Sequence, residues 1–450
     1  MHQKENKMGV MPVRKLIITM SLPMMISMLV QALYNVVDSI YVSRVSEAAL
    51  TSVTMAFPLQ NLMIAVGSGT GVGINSLLSR SLGEKRFDRS DAAAGNGLLL
   101  TAGNYVVFLL AGLFLAGPFI GTQTSDPGIA SGGVLYLRIV CGMSFGLFFQ
   151  MTFERLLQST GRTFYSMTSQ AAGAVINIIL DPILIFGMFG LPALGVAGAA
   201  YATVIGQCCA AVIGLILNVK KNTDIHFSIK SVLSPERAVI RDIYSVGIPS
   251  ILMISIGSVM TYLMNLILST FSATAVAVFG VYFKLQSFIF MPVFGLNNGL
   301  IPVLAYNYGA RNRERIVESL KFAMALAISI MIVGLITFEL IPGVLLGMFD
   351  ASDEMLRIGI PALRIICLSF PIAGACIVMG SIFQAFARSL NSLIVQIGRQ
   401  LVVLIPVAFL LSRFGNINLV WFAFPIAEIA SALLSVVLFR RLYKEIVVPM

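Results

Sequence analysis

Long apolar runs, each closed by a short polar or basic patch, recur along the chain from end to end. Each run holds roughly 20 residues or more, enough for a helix to cross about 30 Å of hydrocarbon. Twelve spans are predicted: 14–42, 49–79, 92–118, 131–157, 163–188, 192–218, 239–270, 274–306, 318–346, 355–385, 391–413 and 417–443. The pattern predicts an all-α integral membrane protein, because helices satisfy their backbone polar groups without water.

The runs also repeat. Pro23 and Pro249 stand 226 residues apart, and so do Gln60 and Gln286, Gly69 and Gly295, Gly73 and Gly299, Leu78 and Leu304, and Gly83 and Gly309. The duplication predicts an N-terminal six-helix lobe over 1–220, a charged cytoplasmic linker over 221–239 and a C-terminal six-helix lobe over 240–450. Six is even, so both halves enter from the same side as parallel repeats about an axis along the membrane normal. A cavity between two such bundles is the default substrate route. The match is tightest over the second and eighth spans and weakest over the fifth and eleventh, where the offset is expected to drift.

Composition agrees with the spans: 58% of residues are hydrophobic and 11% charged, and the mean hydropathy is +0.92. A soluble globular protein carries about 25% charged residues. The net charge of +10 is topological rather than a nucleic-acid footprint. Lys4, Lys7, Arg14, Lys15, Arg80, Arg86, Arg89, Arg162, Lys220, Arg311, Arg313 and Arg440 fall on alternate connections, and Asp126, Asp350 and Asp353 on the others. Basic loops stay inside, so both termini are expected in the cytoplasm, with the chain in the plasma or inner membrane. The five cysteines lie in apolar spans and suit packing better than a disulfide framework. His2 and His226 lie in a tail and a loop. No phosphate-binding GxxxxGK[ST] is present, so ATP does not drive the chain directly. No nucleophile or metal motif supports an enzyme, and no cofactor is expected.

Charges inside spans are the informative exceptions. Gln31, Tyr34, Asn35 and Asp38 share one face of the first span, and Pro23 lies about four turns earlier, where it bends a helix. A carboxylate at mid-span costs at least about 2.5–3.5 kcal/mol. One reading is a kinked helix with a hydrogen-bonded polar cluster; the other is an ion site. At the repeat offset Asp38 meets Met264, so the second half has no counterpart. In the fifth span Asn177 and Asp181 share a face, and Pro182 frees a carbonyl near the acid. The alternative makes Asp181 the cap of a broken helix. Thr203 in the sixth span is a packing hydroxyl or a further oxygen ligand. Oxygen ligands suit Na⁺, and a buried carboxylate suits H⁺. Glu154 is expected to pair with Arg155, and Glu339 to snorkel. Lys284, Arg364, Arg399 and Glu428 lie in second-half spans, where pairing with Glu428 and ligand contact are both open.

These residues resemble a known family. A proline–glutamine–aspartate first helix, the glycines from Gly71 to Gly83, and NIILDP in the fifth span are similar to the multidrug and toxic compound extrusion (MATE) family, over essentially the whole chain. The resemblance is to the prokaryotic branch with its cation site in the N-terminal half. It implies two pseudo-symmetric bundles forming a V-shaped cavity, and a monomeric antiporter exporting cationic or amphipathic compounds against H⁺ or Na⁺. It implies ion-linked roles for Asp38, Asn177 and Asp181, with Gln31 and Thr203 beside them. Tyr34, Asn35, Glu154 and Lys284 are candidate cavity residues. A flippase of lipid-linked sugars from the same superfamily is the alternative, favoured by Lys284, Arg364 and Arg399.

Overall fold

A computed structural model describes residues 5–226, 229–349 and 351–450. His2, Lys4 and Asp350 lie outside the described residues. Within them, every regular element is a helix. In the first half these are α1 (Val13–Ser43), α2 (Glu47–Gly83), α3 (Phe87–Phe114), α4 (Pro127–Gly142), α5 (Phe145–Ser159), α6 (Thr163–Phe186) and α7 (Val196–Lys221). In the second half they are α8 (Arg237–Ser269), α9 (Ala273–Gly309), α10 (Arg313–Leu340), α11 (Asp353–Cys367), α12 (Phe370–Ala385), α13 (Ser389–Ser412) and α14 (Ala423–Leu442). Among the described residues ten helices are long and apolar enough to cross a membrane, and two bent pairs, each counted as one span, make twelve. Val107, Phe114, Val219 and Leu433 each expose more than half of their surface, which hydrocarbon accepts and water does not.

The fourth and tenth spans, expected as single helices, are each broken. α4 and α5 meet at 45°, and α11 and α12 at 48°. The same bond marks both breaks, the Ser144 hydroxyl donating to the Cys141 carbonyl at 2.7 Å and the Ser369 hydroxyl to that of Ile366 at 2.7 Å, and Pro371 opens α12. A hydroxyl competing for a helix carbonyl offers the backbone an alternative to continuing. The drift expected in the fifth and eleventh spans lies within them and not at their ends. α6 and α13 start at Thr163 and Ser389 and end at Phe186 and Ser412, both pairs still 226 apart. Between those ends α13 passes through a π-helical stretch over Gly398–Leu404 that α6 lacks, so the two helices do not match turn for turn.

Helix ends repeat as well. Ser46 and Ser272 cap α2 and α9 through bonds to the Ala49 and Ala275 amides, at 3.0 and 3.1 Å. Lys85, Gly161, Arg311 and Ala387 adopt left-handed backbone after α2, α5, α9 and α12. The next residue in each case bonds back to a carbonyl five residues earlier, which closes the end in a Schellman motif.

The chain divides into two compact units. Unit 1 holds Met1–Asn6 and Ile26–Ile251, and unit 2 holds Lys7–Met25 and Leu252–Met450. The cuts fall inside α1 and α8, two residues beyond Pro23 and Pro249. Each first helix therefore starts in one unit and ends in the other.

In unit 1, α2 receives the start of α8 against bare backbone. A Cβ on Gly69 would lie 2.8 Å from the Ile251 amide and 2.9 Å from the Gly247 carbonyl, and one on Gly73 would strike the Ile243 carbonyl. In unit 2, α9 receives the start of α1 likewise. A Cβ on Gly299 would lie 2.7 Å from Ser21 Cα, and one on Gly295 would lie 2.6 Å from the Met25 amide. Arginines at matching positions hold these starts. Arg89 forms an ion pair with Asp242, with Arg80 at 4.0 Å from the same carboxylate. Arg315 donates to the Met11 carbonyl at 2.7 Å and the Met8 carbonyl at 3.0 Å.

Candidate ion-coupling site

The acidic cluster lies wholly in unit 1, on α1, α4, α6 and α7. Close packing of α6 on α7 comes first. A Cβ on Gly173 would lie 2.7 Å from Ala210 Cβ and 2.9 Å from the Gly206 carbonyl, while Gly206 faces Asn177 Cβ at 3.0 Å. Ser169 ties the pair by donating to the Ala210 carbonyl at 2.7 Å. This contact sets Asn177 opposite Thr203, and the Asn177 amide donates to the Thr203 hydroxyl at 3.4 Å.

One turn further along α6 stands Asp181, with no exposed surface. The helix runs past it without interruption and ends only at Gly187, in the left-handed region at φ 74°. The capping alternative is therefore overturned: Asp181 is a mid-helix carboxylate. Pro182 leaves the Ile178 carbonyl without its helical donor.

Asp38 comes from α1 and lies within electrostatic reach of Asp181. Tyr34, one turn before it, is within reach of both acids and close enough to Thr203 for a hydrogen bond. Tyr136 of α4 joins the same group, with its hydroxyl 3.4 Å from Gln60 Oε1. Gln31 accepts from Gln170 at 3.3 Å. Asn35, on the same helical face by spacing, is exposed. Sequence reasoning missed Tyr136, Gln60 and Gln170 as neighbours of the acids. Gln60 carried a signal as a repeated position, while Tyr136 and Gln170 carried none.

The cluster is short of donors. Both carboxylate oxygens of Asp181, Oδ1 of Asp38 and Oδ1 of Asn177 are buried and have no hydrogen-bond partner among the described residues. Buried acceptors are almost always paired, because an unmet one costs about 1–3 kcal/mol and more when charged. Four oxygens of the cluster, two of them on one acid, are therefore left as acceptors with no donor among the described residues.

The other in-span charges are engaged elsewhere. Glu154 is buried and accepts from Gln150 at 2.9 Å, while Arg155 donates to Gln158 at 2.9 Å. The two are also within electrostatic reach of each other, as expected of neighbours on one turn. In unit 2, Met264 is fully buried at the place of Asp38. Glu428 pairs with Arg399 at 3.0 Å, and Arg364 lies 3.8 Å from Glu339. Lys284 is exposed and lies 5.9 Å from the centre of the Phe349 ring. The arginines behind the flippase alternative thus already hold carboxylates.

Known proteins bear on this arrangement. The MatE family model matches residues 23–183 and again 249–410, each match starting at the proline of a unit-crossing helix. The chain is 28% identical over 440 residues to the multidrug export protein MepA of Staphylococcus haemolyticus (strain JCSC1435), covering 95% of this chain and 93% of that protein. It is 26% identical over 436 residues to MepA of Staphylococcus aureus (strain MRSA252), with the same coverage. Its fold is similar to an outward-facing multidrug resistance MATE family transporter of the MOP superfamily, at a TM-score of 0.93, 26% identity and 99% of each chain. It is also similar to a MOP superfamily transporter from Pyrococcus furiosus Vc1 (DSM3638), at a TM-score of 0.91, 26% identity and 98% of each chain. With two matches to one family model and helices throughout, the chain belongs to the MatE family of membrane transporters and is not an enzyme.

Proposed function

We propose that this protein is a secondary antiporter of the plasma membrane that exports amphipathic or cationic drugs in exchange for H⁺ or Na⁺, with both termini cytoplasmic. The observation that carries the reading is the set of four unmet oxygens on Asp38, Asp181 and Asn177. A cation entering the cluster satisfies them together; its departure restores an unfavourable pair of buried like charges. Thr203 supplies a further oxygen for Na⁺, and Tyr34 a hydroxyl that reorients as the charge changes. Export of foreign compounds rests on the two MepA relatives.

Ion uptake has a place to act in α1. Pro23 has no N–H to give to the helical ladder and its ring bends a helix, and the crossing from unit 2 to unit 1 follows at Met25 and Ile26. Neutralising Asp38 changes what α1 packs against beyond that point, and bending there alters the space open to substrate.

The test uses purified protein in proteoliposomes, with a fluorescent cationic drug driven by a pH gradient or a sodium gradient in turn. Export should follow one gradient and fall at least tenfold in Asp38→Asn and in Asp181→Asn, with drug binding retained. Full gradient-driven export by Asp38→Asn would remove the site from the mechanism.

A further inference from the structure

Unit 2 holds a cleft of about 850 Å³ between α8 and α13, lined by Leu263, Leu266, Ile267, Ile405, Pro406 and Phe409, with Arg413 at its end. From Ile405 to Arg413 the wall extends about 12 Å along α13, at about 1.5 Å per residue. The cleft lies at the ends of α8 and α13 remote from the arginine-held helix starts.

The repeat explains why a cleft exists here. At the same place in unit 1, Tyr41 of α1 and Phe186 of α6 meet edge to face, with ring centres 6.4 Å apart. In unit 2 those positions are Ile267 and Ser412, both in the wall of the cleft. Two rings have been exchanged for a smaller aliphatic and a hydroxyl, and the space they filled stays open. Arg413, where unit 1 has Gly187, stacks over Phe409 at 4.6 Å from the ring centre. It is the sole charged residue among those lining the cleft.

We propose that this cleft binds a phosphate-headed anionic lipid, its acyl chain along the α8–α13 wall and its phosphate on Arg413. The apolar wall suits a hydrocarbon chain. A guanidinium fixed against a ring presents a planar fork to phosphate oxygens, while the Ser412 and Thr270 hydroxyls beside it donate to the Phe409 and Ile267 carbonyls and leave the headgroup to Arg413. No lining residue carries a carboxylate to receive an ammonium headgroup, so phosphatidylglycerol fits better than phosphatidylcholine. A cationic drug meets the wrong charge at this rim.

The experiment is native mass spectrometry of the full chain released from detergent after incubation with dioleoyl-phosphatidylglycerol or dioleoyl-phosphatidylcholine. One phosphatidylglycerol should be retained at least fivefold more often than phosphatidylcholine. Arg413→Gln should abolish the preference, and the double change Ile267→Tyr with Ser412→Phe, which restores the aromatic pair of unit 1, should remove the retained lipid. Lipid-free unfolding temperatures identify any variant that has lost its fold; Arg413→Gln changes only an exposed side chain and keeps the test open. Equal retention of both lipids, an unchanged preference in Arg413→Gln, or retention by a folded filled-cleft variant would each overturn the assignment. Displacement of the lipid by ethidium at Arg413 would overturn it too, since the cleft would then be a drug site.

Discussion

Ala387 sits in left-handed backbone at φ 57°, where its counterpart in the first half is Gly161 at φ 87°. The two close the same Schellman turn, so the difference isolates the cost of a Cβ there. A side chain in that region is strained by about 1–2 kcal/mol, and glycine gives back about 0.4–1 kcal/mol through its unfolded-state freedom. Ala387→Gly is expected to stabilise the protein by about 1 kcal/mol in equilibrium unfolding in detergent, and Gly161→Ala to destabilise it by a similar amount. Residue type alone also made most of the acidic site legible. Asp38, Asn177, Asp181 and Thr203 stand out because polar groups in apolar helices need partners. Tyr136 did not, since a tyrosine in a span is ordinary until its hydroxyl is seen against Gln60.

Helices in this protein are placed by what they lack. Gly69 and Gly73 on α2, and Gly295 and Gly299 on α9, admit another helix to backbone contact. That requirement is why the repeat is easiest to read over these two spans: a glycine facing backbone has no substitute, while lipid-facing apolar positions exchange freely. Gly73→Val and Gly299→Val should each lower the unfolding temperature in detergent and cost about 1–3 kcal/mol or more, through the collision with Ile243 or Ser21. Gly103→Val, where a Cβ meets nothing within 4 Å, is the matched control and should be neutral. The bends between α4 and α5 and between α11 and α12 escaped sequence reading for a different reason. Hydropathy averages over a span and is blind to a break of two or three residues within it.

The whole molecule is a duplication whose structural units differ from its sequence halves. A reading by linker composition places the boundary in the charged stretch after α7, because composition records chain order and not contact. Contact places Lys7–Met25 with the second half and Arg237–Ile251 with the first. A direct expectation follows for a chain cut in the linker. Fragments 1–226 and 229–450, expressed together, should co-purify and restore drug resistance, whereas each alone should aggregate because its unit lacks a helix start supplied by the other. A stable, monodisperse 1–226 fragment by size-exclusion chromatography would contradict this.

The exchanged helix starts also bear on history. A single six-span copy would carry a glycine groove and an arginine with nothing to receive, together with a helix start that has no place to dock on its own unit. Two copies trading those starts complete each other, so an arm-swapped homodimer is a sufficient ancestor and the linker a later stitch. Fusion turned a meeting of two chains into an intramolecular one. It also released the copies from being identical, so that one carries the aspartates and the other an arginine–glutamate pair and an open cleft.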